Sequence, residues 1–179
     1  MKKLAAAVVL FWCLTTSFQN IQNYNITQQS VPVQNTYKVI GVKDGDTIEV
    51  LMNGKGETVR LAHIDCPEKK QPFGNNAKQF VSDLCFGKMV VVLPQEKPDR
   101  YGRIIAEIIL PDGRYLNKEL VKNGLAWHFK KYSNSKEYAD LEIQAKAKKV
   151  GLWSDPYAMA PWVWRKPNLR NERALQQKL

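Results

Sequence analysis

At 179 residues, with 44% hydrophobic and 25% charged side chains, the chain has the length and composition of one ordinary globular domain. No internal repeat points to a solenoid. The formal charge of +10 favours partners with repeated negative charge, nucleic acid or anionic membrane, and solubility alone is an equally open reading.

Met1-Lys2-Lys3 is followed by an unbroken run of eleven apolar residues, Leu4 to Leu14. A bilayer span needs about 20 residues, so this run suits the apolar region of a secretory signal over residues 1–18. Cleavage near Ser17 predicts an exported protein, secreted or periplasmic, of formal charge +8, since only Lys2 and Lys3 are lost. Retention as an N-terminal membrane anchor is the alternative. Two cysteines then remain, Cys66 and Cys85. An oxidising compartment would let them pair, and two free core thiols are the competing reading.

Residues 19–35, rich in Gln and Asn, read as a flexible linker. From Thr36 to Lys43 the β-branched, partly alternating pattern predicts a strand. Asp44-Gly45-Asp46 turns the chain, Thr47 to Met52 returns, Asn53 to Gly56 turns again, and Glu57 to Ile64 reads as a third strand. Ala77, Phe80, Val81 and Leu84 then fall on one helical stripe that Gly87 can end. Strands follow at Met89–Leu93 and Arg103–Leu110, a short helix at Leu116–Val121 before Gly124, and a brief strand near Ala126–Phe129. Asn134 with Glu137 resembles a capping box for a last helix running to Gly151. The expected fold is α+β and mostly β: a five-stranded OB-type barrel with about three helices over residues 36–155. Residues 156–179 form a basic tail with three prolines and two exposed-looking tryptophans, Trp162 and Trp164; a solvated helix end is expected there, with contact to nucleic acid or a membrane surface as the alternative.

Hydrolysis of a phosphodiester needs an activated water, a counter-charge for the phosphate and help for the leaving oxygen. Carboxylates can hold a hard cation, and an arginine fork can grip phosphate oxygens. Those residue types cluster in Asp44-Gly45-Asp46-Thr47, in Arg60 to Glu68 and in Asp99-Arg100-Tyr101-Gly102-Arg103. Singly these segments are weak, because an Asp-Gly pair is most often only a turn.

Together, in this order, they resemble the thermonuclease or staphylococcal nuclease-like family over nearly all of residues 36–154. Asn123-Gly124-Leu125-Ala126 and Gly151-Leu152-Trp153 add to the likeness. The resemblance implies a calcium-dependent nuclease acting on DNA or RNA, with a non-catalytic nucleic-acid-binding barrel as the alternative. It implies Asp46 and Asp65 as calcium ligands, joined by the backbone carbonyl of Cys66, where threonine or alanine is more usual. Asp44 would tune the metal. Glu68 is implied as the general base, and Arg60 and Arg103 as the pair clamping the scissile phosphate. Arg100, Tyr101 and Tyr132 match substrate-binding positions, while Lys130 stands where a second tyrosine is expected. All five of the clamp, base and metal-ligand side chains are present, which favours catalysis over the degenerate module. No stable protein partner is expected, and the chain is read as a monomer.

Strand parity sets one condition. Arg60 and Asp65 are five residues apart, so a regular strand would aim them at opposite faces, and the chain must bend before Pro67. His63 and His128 are expected to be structural, since two histidines without cysteine–histidine spacing do not make a zinc site. Trp127 and Trp153 are expected in the core, and Lys146, Lys148 and Lys149 on a solvated helix face.

Overall fold

The computed structural model describes residues 35–95 and 97–168. The expected signal segment, nearly all of the linker and the far end of the basic tail lie outside these residues. Among the described residues, seven strands and four α-helices follow in chain order. The strands are β1 (Thr36–Asp44), β2 (Thr47–Met52), β3 (Lys55–Leu61), β4 (Ile64–Asp65), β5 (Met89–Pro94), β6 (Ile104–Ile109) and β7 (Trp127–His128). The helices are α1 (Gly74–Cys85), α2 (Leu116–Lys122), α3 (Lys136–Ala147) and the short α4 (Pro161–Trp164).

The expected barrel is present. Five strands close in the order β1-β2-β3-β6-β5, and β4 pairs with β7 beside them. Period-two alternation fills the interior with Ile48 and Val50 of β2, Val90 and Val92 of β5, and Ala106 and Ile108 of β6. β1, β2 and β3 form the antiparallel meander, with Thr47 opposite Arg60. β3 and β6 are parallel, with Arg60 opposite Ile105. A parallel pair needs a long connection, which β4, α1 and β5 supply. Helix α1 buries Ala77, Val81 and Cys85, and α2 buries Leu116, Leu120 and Val121.

Asn117 on α2 is fully buried and spends its amide on three backbone groups. Its Oδ1 accepts from Ile108 N at 3.0 Å, and its Nδ2 donates to the carbonyls of Ala62 at 3.0 Å and Ala106 at 3.1 Å. This locks the end of β3 to β6, so the break that follows β3 starts from a fixed point.

That break differs from the expected third strand. β3 stops at Leu61, His63 turns with φ of +67°, and Ile64–Asp65 leaves the barrel to pair with β7. His63 is therefore a turn residue, not a strand residue. Its ring stacks on Tyr138 at 4.7 Å and its Nδ1 lies 2.9 Å from Ser133 Oγ. The bend that parity demands thus occurs at residues 62–63.

Other expectations shift locally. The cap of α3 is Ser135 rather than Asn134, its side chain accepting from Tyr138 N, while Glu137 pairs with Lys118 at 2.8 Å. Helix α3 ends at Ala147, and Gly151–Ser154 is a separate 3-10 turn. Two glycines make that turn fit. A Cβ on Gly124 (φ +63°) would come within 2.2 Å of Val150 O, and one on Gly151 (φ +55°) within 2.3 Å of Gly124 O. Only glycine tolerates both the left-handed backbone and the contact. Leu152 N donates to Gly124 O at 2.8 Å and fastens the junction.

Trp162 is not an exposed tail residue. Its ring stacks on Phe129 at 5.4 Å and meets Trp127 edge-on at 5.7 Å, while Trp127 meets Trp153 at 4.2 Å. Nor is Lys146 merely solvated, for it pairs with buried Glu142 at 3.0 Å and lies over the Trp153 ring. Cys66 and Cys85 are both free and buried. Among the described residues, no helix is long and apolar enough to cross a membrane.

Candidate active site

The β1–β2 turn, the end of β3 and the short β4 bring three of the expected side chains together at one rim of the barrel. Arg60 is the centre of the group. Its Nη1 donates to the carbonyls of Leu61 at 2.8 Å and Ile64 at 3.0 Å, which pins the chain on both sides of the bend. Its Nη2 donates to Asp65 Oδ1 at 2.9 Å and lies 3.1 Å from Asp46 Oδ2. One nitrogen thus bridges the two expected metal carboxylates. Asp46 Oδ2 also accepts from Cys66 N at 2.7 Å, and Asp44 Oδ1 accepts from Asp46 N at 3.1 Å.

Asp65 is fully buried and Asp46 nearly so. Burial pushes the Asp46 carboxyl well above the ordinary carboxylate range; Arg60 opposes the rise and Asp44 and Asp65 add to it. Burial works against the Arg60 charge too, but Asp46 and Asp65 outweigh it and hold the guanidinium protonated. Burial, with Asp46 next in size, pushes the Cys66 thiol up, so its sulfur stays a neutral core group.

Glu68 sits just past Pro67, on a loop built to fix it. Glu68 N donates to Gln71 Oε1 at 3.1 Å, and Gln71 N donates back to Glu68 O at 2.8 Å. A Cβ on Gly74 would lie 2.0 Å from Glu68 O, so the start of α1 can close on this loop only as glycine. Gln71 is buried and its Nε2 donates to Met159 O, tying the loop to the C-terminal segment.

Arg103, the other expected clamp, is engaged elsewhere. It precedes β6 by one residue and, two before Ile105, shares the strand face that Arg60 occupies across the β3–β6 pair. Its side chain closes on Asp99, with Nε to Oδ2 at 2.7 Å and Nη2 to the same oxygen at 2.7 Å. Arg100 donates to Tyr101 Oη at 2.6 Å and covers that ring, and Tyr101 is largely exposed. Tyr132 is also largely exposed, set edge-on to Phe129 at 5.0 Å. The structure therefore joins Asp46, Arg60, Asp65 and Cys66 directly, and leaves Tyr132 and the mutually contacting Arg100, Tyr101 and Arg103 outside that group.

One residue at the site was not anticipated. Arg165, just after α4, reaches back to it. Its Nη1 donates to Asp65 Oδ2 at 3.0 Å, its Nη2 to Asp65 Oδ1 at 2.8 Å, and its Nε to Glu68 Oε1 at 2.5 Å. Burial works against the charge of Arg165, but these hydrogen bonds outweigh it and raise its pKa further. The tail at this point is thus a site element rather than a solvated end. Its sequence signal is the alternation Trp162-Val163-Trp164-Arg165, in which two aromatic anchors precede a cation.

With the carboxylates closed on two guanidiniums, no three or more His, Cys, Asp or Glu side chains among the described residues stand ready around one point for a metal. The donors themselves are hard oxygens, which suit a cation such as calcium once a guanidinium yields them.

Comparison with known proteins bears on the whole arrangement. Residues 58–155 match the staphylococcal nuclease homologue family. An uncharacterized endonuclease of Escherichia coli is 41% identical over 128 residues, covering 72% of this chain and 83% of the relative. A micrococcal nuclease of Shigella flexneri is 39% identical over 149 residues, 76% of this chain and 85% of the relative. A staphylococcal-like nuclease of Arabidopsis thaliana is 39% identical over 108 residues, 60% of this chain and 33% of the relative.

The chain belongs to the staphylococcal nuclease family. It is a hydrolytic nuclease, so its substrate is nucleic acid. The matched residues include Arg60, Asp65, Glu68 and Arg103 but neither Asp46 nor Arg165. Asp46 reaches the Arg60 cluster through the β1–β2 turn, and Arg165 reaches it from beyond the end of the match.

Proposed function

We propose that this nuclease is a calcium-dependent endonuclease that cleaves DNA or RNA phosphodiester bonds, using Glu68 as general base and Arg60 and Arg103 as the phosphate clamp. The observation that carries the reading is the meeting of Asp46, Arg60, Asp65 and Glu68 at one barrel rim through the bend at His63.

Asp46, Asp65 and the carbonyl of Cys66 would hold the cation; when bound, calcium supplies positive charge to the scissile phosphate. The fit rests on the oxygen-only side chains that Arg60 brings together, Asp46 and Asp65. Arg60 lies against both aspartates, and its planar fork would grip phosphate oxygens by giving up some of the carboxylate and carbonyl partners it now holds. Glu68 is half-exposed beside Asp65, which suits a base that must accept a proton from an attacking water. Arg103 trades Asp99 for the phosphate and steadies the leaving oxygen. Arg100, Tyr101 and Tyr132 offer a cation and two largely exposed tyrosines to the flanking nucleotides, a sequence-tolerant mode of binding.

Purified protein should nick plasmid DNA on addition of calcium and stop on addition of chelator. Glu68→Gln should lower turnover by about 10²–10⁴-fold at an unchanged thermal midpoint; full turnover in that variant removes Glu68 from the role. The apolar run Leu4–Leu14 supports export. N-terminal sequencing of protein recovered outside the cytoplasm should find a start near residue 18, and a start at Met1 would favour the anchor.

A further inference from the structure

Arg165 stands where a cation would have to bind. Both oxygens of Asp65 accept from its two Nη atoms, in an end-on fork, while its Nε holds Glu68. Asp65 Oδ1 accepts from Arg60 as well. A carboxylate has about four lone-pair positions, and here three guanidinium hydrogen bonds fall on one that is fully buried. A divalent cation that takes both oxygens of Asp65 must displace Arg165, because the two claim the same oxygens.

The tail is held so that this contact forms without help from the arginine. Trp162 is stacked on Phe129 and edges Trp127, and Met159 O accepts from Gln71, the residue that also fixes the Glu68 loop. Arg165 itself is about half exposed, with a side chain 45% accessible, whereas Arg60 beside it is 12% accessible. Losing its partners would leave Arg165 in water rather than stranded in the core. The two arginines at one carboxylate therefore differ in kind, one built in and one able to leave.

We propose that Arg165 is an intramolecular cation that occupies Asp65 and Glu68 in the metal-free nuclease and competes with the divalent metal for Asp65. It acts as a positioning residue: it holds the two acids together at low metal and frees Glu68 when metal takes Asp65. The inference rests on the calcium reading given above.

Titration of full-length protein with calcium alone, followed by calorimetry, tests it with no nucleic acid present. Arg165→Ala should bind calcium about tenfold more tightly than the native chain, the change expected if the native site is open about one-tenth of the time. Arg165→Lys, which keeps a charge but loses the fork, should fall between. The thermal midpoint in chelator should drop in Arg165→Ala, and its rise on adding calcium should be larger than in the native chain. Equal or weaker calcium binding by Arg165→Ala overturns the competition and leaves the calcium reading intact. Weaker nucleic-acid binding at unchanged calcium affinity would do the same, and would make Arg165 a phosphate contact. Absence of calcium binding in both proteins overturns both readings together.

Discussion

Arg60 and Arg103 are assigned the same phosphate, yet their surroundings are opposite. Arg60 is nearly buried and bonds two carbonyls and two carboxylates across a chain bend. Arg103 is partly exposed at the mouth of a glycine turn and holds one carboxylate four residues away. The difference separates two jobs that one residue type can do. Arg60 is part of what makes the site exist, since removing it would leave buried Asp46 without a guanidinium partner and Asp65 with Arg165 alone. Arg103 is available to move, because Asp99 competes for it only at the surface.

The sharpest way to break that contrast is to truncate each arginine and measure both turnover and stability. Either change to alanine should lower turnover by about 10²-fold or more, as loss of a donor to a charged transition state does. Stability should then part them. Arg60→Ala should cost about 3–5 kcal/mol in chemical denaturation, the penalty for leaving a buried charge unpaired. Arg103→Ala should cost about 0–1 kcal/mol, as for a surface pair. Equal losses would mean that the two sites are built alike.

Smaller effects sharpen the picture of the core behind Arg60. Burial pushes the Cys85 thiol up to about 12 and the Cys66 thiol higher as well. Iodoacetamide at pH 8 should therefore label neither cysteine in the native protein and both after unfolding, and reductant should leave the thermal midpoint unchanged. Labelling of native Cys66 would mean that the rim opens more readily than its burial implies.

The smallest effect concerns His128, whose pKa burial lowers below the ordinary 6.5. Below about pH 6.5 the unfolded chain takes up a proton that the folded chain resists. His128 should thus stabilise the fold fully above that pH, and its contribution should be lost as pH falls toward the lower folded value. A His128→Gln variant should show a shallower fall of thermal midpoint between pH 7 and 5; an identical slope would assign the pH dependence to other groups.

The barrel was legible because its signals are local. Alternation in β2, β5 and β6 and the stripe on α1 each follow from the side a residue must face, and short glycine turns order the meander. The acidic turn, Arg60 and the Asp65–Glu68 segment were legible as chemistry, and parity alone required the bend that His63 makes. What could not be read was long-range. The break of β3 at Leu61 depends on Asn117 and on the distant partner β7. The cap moved from Asn134 to Ser135 because two neighbouring polar residues compete for one role and packing of Tyr138 decides. Arg165 lies 97 residues from Glu68, and no pattern within the tail says which acids an arginine will find.

The paired glycines Gly124 and Gly151 bear on that last contact. They weld the turn at Leu152 to the loop after α2, and Arg165 lies thirteen residues beyond Leu152. The guanidinium is thereby a tethered ligand, present at its carboxylates at an effective concentration of about millimolar or more whatever the amount of enzyme. Dilution cannot release it. The level of free divalent ion, rather than the abundance of the protein, would set the threshold at which the site opens.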